Sequence, residues 1–237
     1  DFGLFEVGSI FHSLQAGDQS VSATAVRVGA KSSRDWRRAQ QSGQSASDTF
    51  DARGDAQTLL QAMGVDVATL KTGRDVPAWY HPGRSGVLFR DPKTPLAYFG
   101  VLHPELLSLF DISGDVACME LFPMDVPAGK VKASKTKPRL NLSNFQSVRR
   151  DFAFEVGPDV AVEDIVRQIR SVERELIAGV QVFDVFEGGD LAAGYRSIGI
   201  EVTLQPRATT LTDADIEAVS DKILVAIEKL GEVRLRG

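Results

Sequence analysis

The hydrophobic period switches at regular intervals through the last ninety or so residues, and that succession restricts the fold more than any other feature. Val148, Arg150, Phe152, Phe154 and Val156 occupy alternate positions, the period of a half-buried strand. Val162, Ile165, Val166, Ile169, Val172, Leu176 and Ile177 then recur at three- and four-residue spacing. That is the stripe of an amphipathic helix, with Asp159 placed to cap it and Gly179 to end it. Val180 to Glu187 reads as a strand, Gly188-Gly189-Asp190 as a turn, and Arg196 to Gln205 as another strand with Ile198, Ile200, Val202 and Leu204 on one face. Thr212 and Asp215 have capping-box spacing ahead of Ile216, Val219, Ile223, Ile227 and Leu230, a second helix. Glu232 to Arg236 closes as a short strand. Strand, helix, strand, strand, helix, strand is the ferredoxin-like βαββαβ order, whose helices cover one face of a four-stranded sheet.

Such a sheet leaves its other face open. By parity Phe183 and Val185 point one way, and Val182, Asp184 and Phe186 the other. If the helices cover Phe183 and Val185, the open face presents Asp184 and Phe186, an acid beside an aromatic ring. An exposed ring on an open sheet stacks an unpaired base, and a carboxylate next to it accepts hydrogen bonds from a base edge with two N–H donors, as guanine has. The plainer alternative makes Phe186 an edge-of-core residue and Asp184 a solvated charge.

The first half reads as strands with helices between them. Phe2 to Phe11 and Val21 to Val28 are apolar strands around a Gly17-Asp18-Gln19 turn. Asp48 precedes a helix over Thr49 to Met63, stopped by Gly64. Gly86–Arg90 and Leu96–Leu102 form a hairpin, Pro104–Phe110 a short helix and Val116–Phe122 a further strand. The fold class is therefore α+β with a largely antiparallel sheet. His12, His81 and His103 have no His or Cys partner at metal-ligand spacing. A proline after His81 and after His103 reports rigid turns. There is no Gly-x-Ser-x-Gly elbow and no phosphate-binding Gly-x4-Gly-Lys-Ser/Thr loop. This half reads as a scaffold without a nucleophile constellation.

Charge marks the boundary. Residues 1–128 carry a net −4 and residues 151–237 a net −8, whereas 129–150 carry +7 from Lys130, Lys132, Lys135, Lys137, Arg139, Arg149 and Arg150, with no acid. The stretch from Gly129 to Pro138 has no apolar periodicity, so it reads as a linker able to attract a polyanion locally. The length of 237 residues suits two domains. We expect these at 1–128 and 143–237 with a basic linker at 129–142. A single cysteine, Cys118, excludes a disulfide framework and fits a reducing compartment. No apolar run of about 18 residues is present to span a membrane. The strand-like run begins within two residues of Asp1, which reads as a piece of something longer.

The second half resembles the ferredoxin-fold anticodon-binding domain of the phenylalanyl-tRNA synthetase beta subunit family. The resemblance rests on Val148-Arg149-Arg150-Asp151-Phe152-Ala153-Phe154, Val182-Phe183-Asp184-Val185-Phe186, Arg196-Ser197-Ile198-Gly199-Ile200, Thr210-Leu211-Thr212-Asp213 and Val233-Arg234. The first half is similar to the same family's catalytic-like, class II synthetase-like domain. It shares Leu4-Phe5-Glu6-Val7-Gly8, Phe50-Asp51-Ala52-Arg53-Gly54-Asp55, Tyr80-His81-Pro82-Gly83-Arg84-Ser85 and Gly100-Val101-Leu102-His103-Pro104-Glu105.

The resemblance implies a non-catalytic, cytoplasmic part of an α2β2 ligase that charges tRNA-Phe with ATP and magnesium, the alpha subunit performing aminoacylation. It implies no cofactor, metal or catalytic residue in this chain, with editing and magnesium sites upstream of it. It implies that an anticodon guanine stacks on an aromatic ring and contacts an aspartate two residues before it, here Phe186 and Asp184. Lys130, Lys132, Lys135, Lys137, Arg139, Arg149 and Arg150 are the candidate phosphate contacts. The sequence departs from the family in three places. Phe186 stands where many members have Tyr, which leaves the stacking face. Gln146 replaces a usual proline, and Thr209 a usual basic residue. The same element order also serves amino-acid-sensing regulatory modules, the competing function.

Overall fold

A computed structural model describes residues 2–30, 46–127, 139 and 142–236. It divides into two compact units, Asp1–Lys135 and Thr136–Gly237. Of the expected linker at 129–142, only Arg139 and Leu142 lie among the described residues.

The first unit is built on an antiparallel sheet of β1 (Phe2–Phe11), β2 (Gln19–Val28), β3 (Lys71–Gly73), β4 (Tyr80–Asp91), β5 (Thr94–Leu102) and β6 (Val116–Leu121), in the order β1-β2-β6-β5-β4-β3. Helix α1 (Thr49–Ala62) crosses one face and buries Ala52, Ala56 and Leu60, four residues apart, against Leu88, Ala97, Phe99, Met119 and Leu121. Its start is fixed by a reciprocal cap: Asp48 accepts from the amides of Phe50 and Asp51, and the Asp51 carboxylate accepts from the Asp48 amide. A short helix, α2 (Pro104–Leu109), follows β5. Edge strand β1 is exposed along its whole length, with Phe2, Leu4, Phe5, Val7 and Phe11 open to solvent. The His81-Pro82 segment, expected as a rigid turn, is an irregular stretch within β4, where the register with β5 breaks between Tyr80 and Ser85. Pro82 has no amide hydrogen to give the ladder, so pairing lapses there.

The second unit comprises β7 (Val148–Val156), α3 (Val162–Val172), β8 (Ile177–Glu187), β9 (Arg196–Leu204), α4 (Asp213–Glu228) and β10 (Val233–Leu235). The strands form one antiparallel sheet in the order β10-β7-β9-β8. This is the ferredoxin-like βαββαβ fold, and the molecule is α+β as expected. The core joins Phe152, Phe154, Ile198, Ile200, Val202 and Leu204 of the sheet to Ile165 and Ile169 of α3 and Ile216, Val219, Ile223 and Ile227 of α4. The Thr212–Asp215 capping box forms in both directions.

Helix α3 is shorter than its apolar spacing. It ends at Val172, and a turn at Glu173 sends Leu176 into the core from the loop. Ile177 already pairs with Leu204 in β8, so Gly179 lies inside a strand and ends no helix. The stripe overran because Leu176, partly buried from a turn, and Ile177, buried from a strand, stand at positions that also fit the helical period. Asp159 is not the cap either: Ala161 occupies that position without a side-chain hydrogen bond, and Glu163 and Asp164 supply negative charge in the first turn.

Candidate nucleic-acid interface

The pairing of β8 with β9 decides what the uncovered face presents. Val180 pairs with Val202, Gln181 with Glu201 and Val182 with Ile200. One residue is then skipped, and pairing resumes as Asp184 with Gly199, Val185 with Ile198 and Phe186 with Ser197. Directly opposed residues project from the same face. Ile198, Ile200 and Val202 point into the helix-covered core, so Val180, Val182 and Val185 share the covered side. Gln181, Asp184 and Phe186 project from the open side.

The skipped residue is Phe183, a β-bulge. Strict alternation, which pairs Val182 with Asp184 and Phe183 with Val185, is therefore wrong across the bulge, because the extra residue resets the parity. Nor do the helices cover Phe183, which is 56% exposed on the open side, while Val185 shares the helix side and is still 55% exposed. The Phe183 ring reaches over Gly199 on the open side, its Cζ and Cε2 only 2.9 and 3.0 Å from where a β-carbon would stand. Phe186 is 45% exposed and lies beside the Gly188-Gly189 turn, 3.5 Å from a β-carbon placed on Gly189. Both glycines have positive φ, 102° and 63°, which this turn after β8 requires.

The floor of this face is made of small residues. Ala153 of β7, Gly199 of β9 and the buried Ser197 lie behind Asp184 and the two rings. Around it stand Arg149, Asp151 and Glu155 of β7, Glu201 of β9 and Arg234 of β10. Glu155 is paired with Arg234 at 2.6 Å and Glu201 with Arg149 at 3.4 Å. Among the described residues the Asp184 carboxylate has no hydrogen bond or ion pair. With four carboxylates against the guanidinium groups of Arg149, Arg234 and Arg236, the last opposite Ala153, the face stays net acidic and offers acceptors to N–H donors.

Of the residues singled out from sequence, the fold brings Asp184 and Phe186 together on one open face. Arg149 shares that face but is engaged with Glu201. Arg150 projects from the opposite side, in register with Val202. Arg139 is exposed, and Lys130, Lys132, Lys135 and Lys137 lie outside the described residues. Phe183 and Gly199 were not singled out. A glycine inside the β9 pattern was the available signal, since it marks a close approach or a bulge in the neighbouring strand.

The first unit places its reactive groups differently. His81 Nδ1 accepts from the Gly83 amide and His103 Nδ1 from the Glu105 amide, each closing a local turn. His12 meets the Ser20 hydroxyl at 2.9 Å. The buried Tyr80 hydroxyl lies 3.8 Å from Cys118 Sγ, and burial pushes the Cys118 thiol up to about 11. Trp79 Nε1 donates to Glu120, and Arg84 is held by Asp115. Among the described residues no group of three or more His, Cys, Asp or Glu is arranged to hold a metal ion, and no helix is long and apolar enough to cross a membrane.

Comparison with known proteins gives a separate match for each half of the chain. Residues 143–236 match the family described as a ferredoxin-fold anticodon binding domain, and residues 1–122 match the phenylalanyl tRNA synthetase beta chain CLM domain. The phenylalanine–tRNA ligase beta subunit of Paramagnetospirillum magneticum is 44% identical over 237 residues, all of this chain and 29% of the relative. That of Rhodospirillum rubrum is 42% identical over 236 residues, again 29% of its length. That of Bradyrhizobium diazoefficiens is 42% identical over 233 residues, 97% of this chain and 28% of the relative. The chain thus spans under a third of the length of these relatives.

Proposed function

The chain belongs to the phenylalanyl-tRNA synthetase beta chain family, and on that premise we propose that it is the tRNA-binding and subunit-assembly portion of a phenylalanine–tRNA ligase. In this reading the open face of the second unit receives the unpaired anticodon of tRNA-Phe. Aminoacylation with ATP and magnesium proceeds on a cytoplasmic alpha subunit, in an α2β2 assembly. The domains are taken as 1–128 and 143–237, joined by the basic linker.

The observation that carries the proposal is an exposed carboxylate without a partner, Asp184, on the same uncovered face as the Phe186 ring and two residues from it. A base stacked on Phe186 directs its edge toward Asp184. Guanine presents an imino N–H and an exocyclic amine on that edge, and two carboxylate oxygens accept from both. Adenine presents an acceptor where guanine has its imino donor, so the charge that holds guanine repels adenine. Because this face is acidic, phosphates are held elsewhere, and the basic stretch from Lys130 to Arg139 with Arg150 supplies the complementary charge.

The first unit serves assembly. Its donors do not fit a magnesium–nucleotide site among the described residues: no carboxylate cluster is present and Arg84 is committed to Asp115. Strand β1 exposes Phe2, Leu4, Phe5, Val7, Ile10 and Phe11 at a sheet edge, an apolar edge that isolated proteins avoid and that suits burial against another subunit.

The test is binding of a fluorescently labelled anticodon stem-loop of tRNA-Phe to the chain and to its Asp184→Asn variant. The variant keeps shape and replaces an acceptor oxygen by a donor. A loss of about 1–3 kcal/mol for guanine, with little change for a loop carrying adenine there, is the expected result. Equal affinities in chain and variant contradict the site.

A further inference from the structure

We propose that Phe183 is a second base-stacking platform, holding the nucleotide next to the one read by Asp184 and Phe186, so that the face binds two successive unpaired bases. This rests on the reading of the open face given above and extends it to a residue that the alternation of side chains would have assigned to the covered side.

Three observations converge on Phe183. The bulge turns it onto the open side, between the covered Val182 and the open Asp184. Gly199 lies beneath it and offers no side chain, so the ring edge settles close to the sheet backbone. The residue still remains 56% exposed on a face made, Phe186 apart, of charged, small and polar groups. Covering one glycine leaves most of that aromatic surface in water, which is unfavourable unless something else covers it.

The spacing also suits two bases. Phe183 and Phe186 are three positions apart, about 10 Å at the rise of a strand and less across a bulge. Asp184 stands between them, so one carboxylate and two rings form a single row along the edge strand. The two rings would act differently. Phe186 works with Asp184 and so contributes to guanine discrimination. Phe183 has no unpaired polar partner of its own, so it contributes affinity that tolerates any base.

The experiment is a cycle pairing protein and RNA changes, using the full chain and an anticodon stem-loop. Each loop nucleotide flanking the guanine is made abasic in turn, and each RNA is bound to the wild-type chain and to its Phe183→Leu, Phe183→Tyr and Phe186→Leu variants. Leucine keeps apolar cover over Gly199 without a ring; tyrosine keeps the ring. One flanking abasic site should weaken wild-type binding about 5- to 150-fold, yet have no further effect on Phe183→Leu, which is already weakened to the same degree. Phe183→Tyr should bind as wild type, and exchange of the flanking base for another should matter little. Wild-type affinity in Phe183→Leu, or losses that simply add to those of every abasic site, overturn the second platform. If Phe186→Leu also binds as wild type, the open-face reading falls with it; if Phe186→Leu alone weakens binding, only the inference about Phe183 falls.

Discussion

Asp184 stands directly opposite Gly199 across β8 and β9, and a β-carbon at Gly199 would lie 3.1 Å from that of Asp184. The same added atom would meet the Phe183 ring at 2.9 Å. One missing side chain in the middle of β9 therefore lets an aspartate and a bulged phenylalanine share the open face. A bulge bends its strand and re-aims the residues around it, and here it brings Asp184 and Phe186 to the surface while Val182 stays packed against the core.

Gly199→Ala follows directly from this contact. The alanine methyl must displace the Phe183 ring or the Asp184 side chain, and overpacking of this kind costs roughly 1–3 kcal/mol. Because Phe183 is exposed, the ring can swing away, so the stability loss should fall at the low end. Anticodon stem-loop affinity should fall by more than stability does. Urea unfolding and fluorescence anisotropy on the same variant separate the two effects, and unchanged RNA binding beside a displaced ring counts against the role of this row.

Stability should depend on pH through the cap of α4. Hydrogen bonds from the Thr212 amide and hydroxyl hold the Asp215 carboxyl below its ordinary range. A carboxyl depressed in the folded state stabilises above its unfolded pKa and loses that contribution as pH falls through the folded value. Protection of the first-turn amides of α4, taken as exchange relative to the intrinsic rate at each pH, should therefore fall on acidification. Thr212→Val removes the hydroxyl partner and should flatten that acid dependence, as read by exchange at matched pH. A profile as steep in Thr212→Val as in wild type would show that the Thr212 hydroxyl does not set it.

Neutralising Lys130, Lys132, Lys135 and Lys137 together to glutamine tests where the phosphates are held. Each phosphate contact to single-stranded RNA contributes about 0.7 to the slope of log affinity against log salt. The variant should show a shallower slope while guanine preference over adenine is retained, since that preference resides at Asp184. Equal slopes reduce the stretch to a tether.

Much of this architecture is legible in the sequence because burial enforces period. Ile198, Ile200, Val202 and Leu204 are all essentially buried, so β9 is written in its alternation. Thr212 and Asp215 announced the start of α4 by spacing alone. The α3 stripe misled at its end because a core accepts apolar side chains from a turn as readily as from a helix, and Leu176 and Ile177 fitted both. The site was legible only in part. Asp184 and Phe186 could be paired by parity, but the bulge at Phe183 arises from pairing with another strand and leaves no local mark in β8. The exposure of β1 was equally hidden, since an apolar strand reads the same whether a partner element covers it or not.

The most direct measurement is amide chemical-shift mapping of the isotopically labelled chain titrated with the anticodon stem-loop. Binding through the open face requires that the largest changes fall at Phe183, Asp184 and Phe186 and at their cross-strand neighbours Ser197, Gly199 and Ala153, with α3 and α4 nearly silent. Changes confined to the outer surfaces of α3 and α4, with β8 unmoved at saturating RNA, would contradict it.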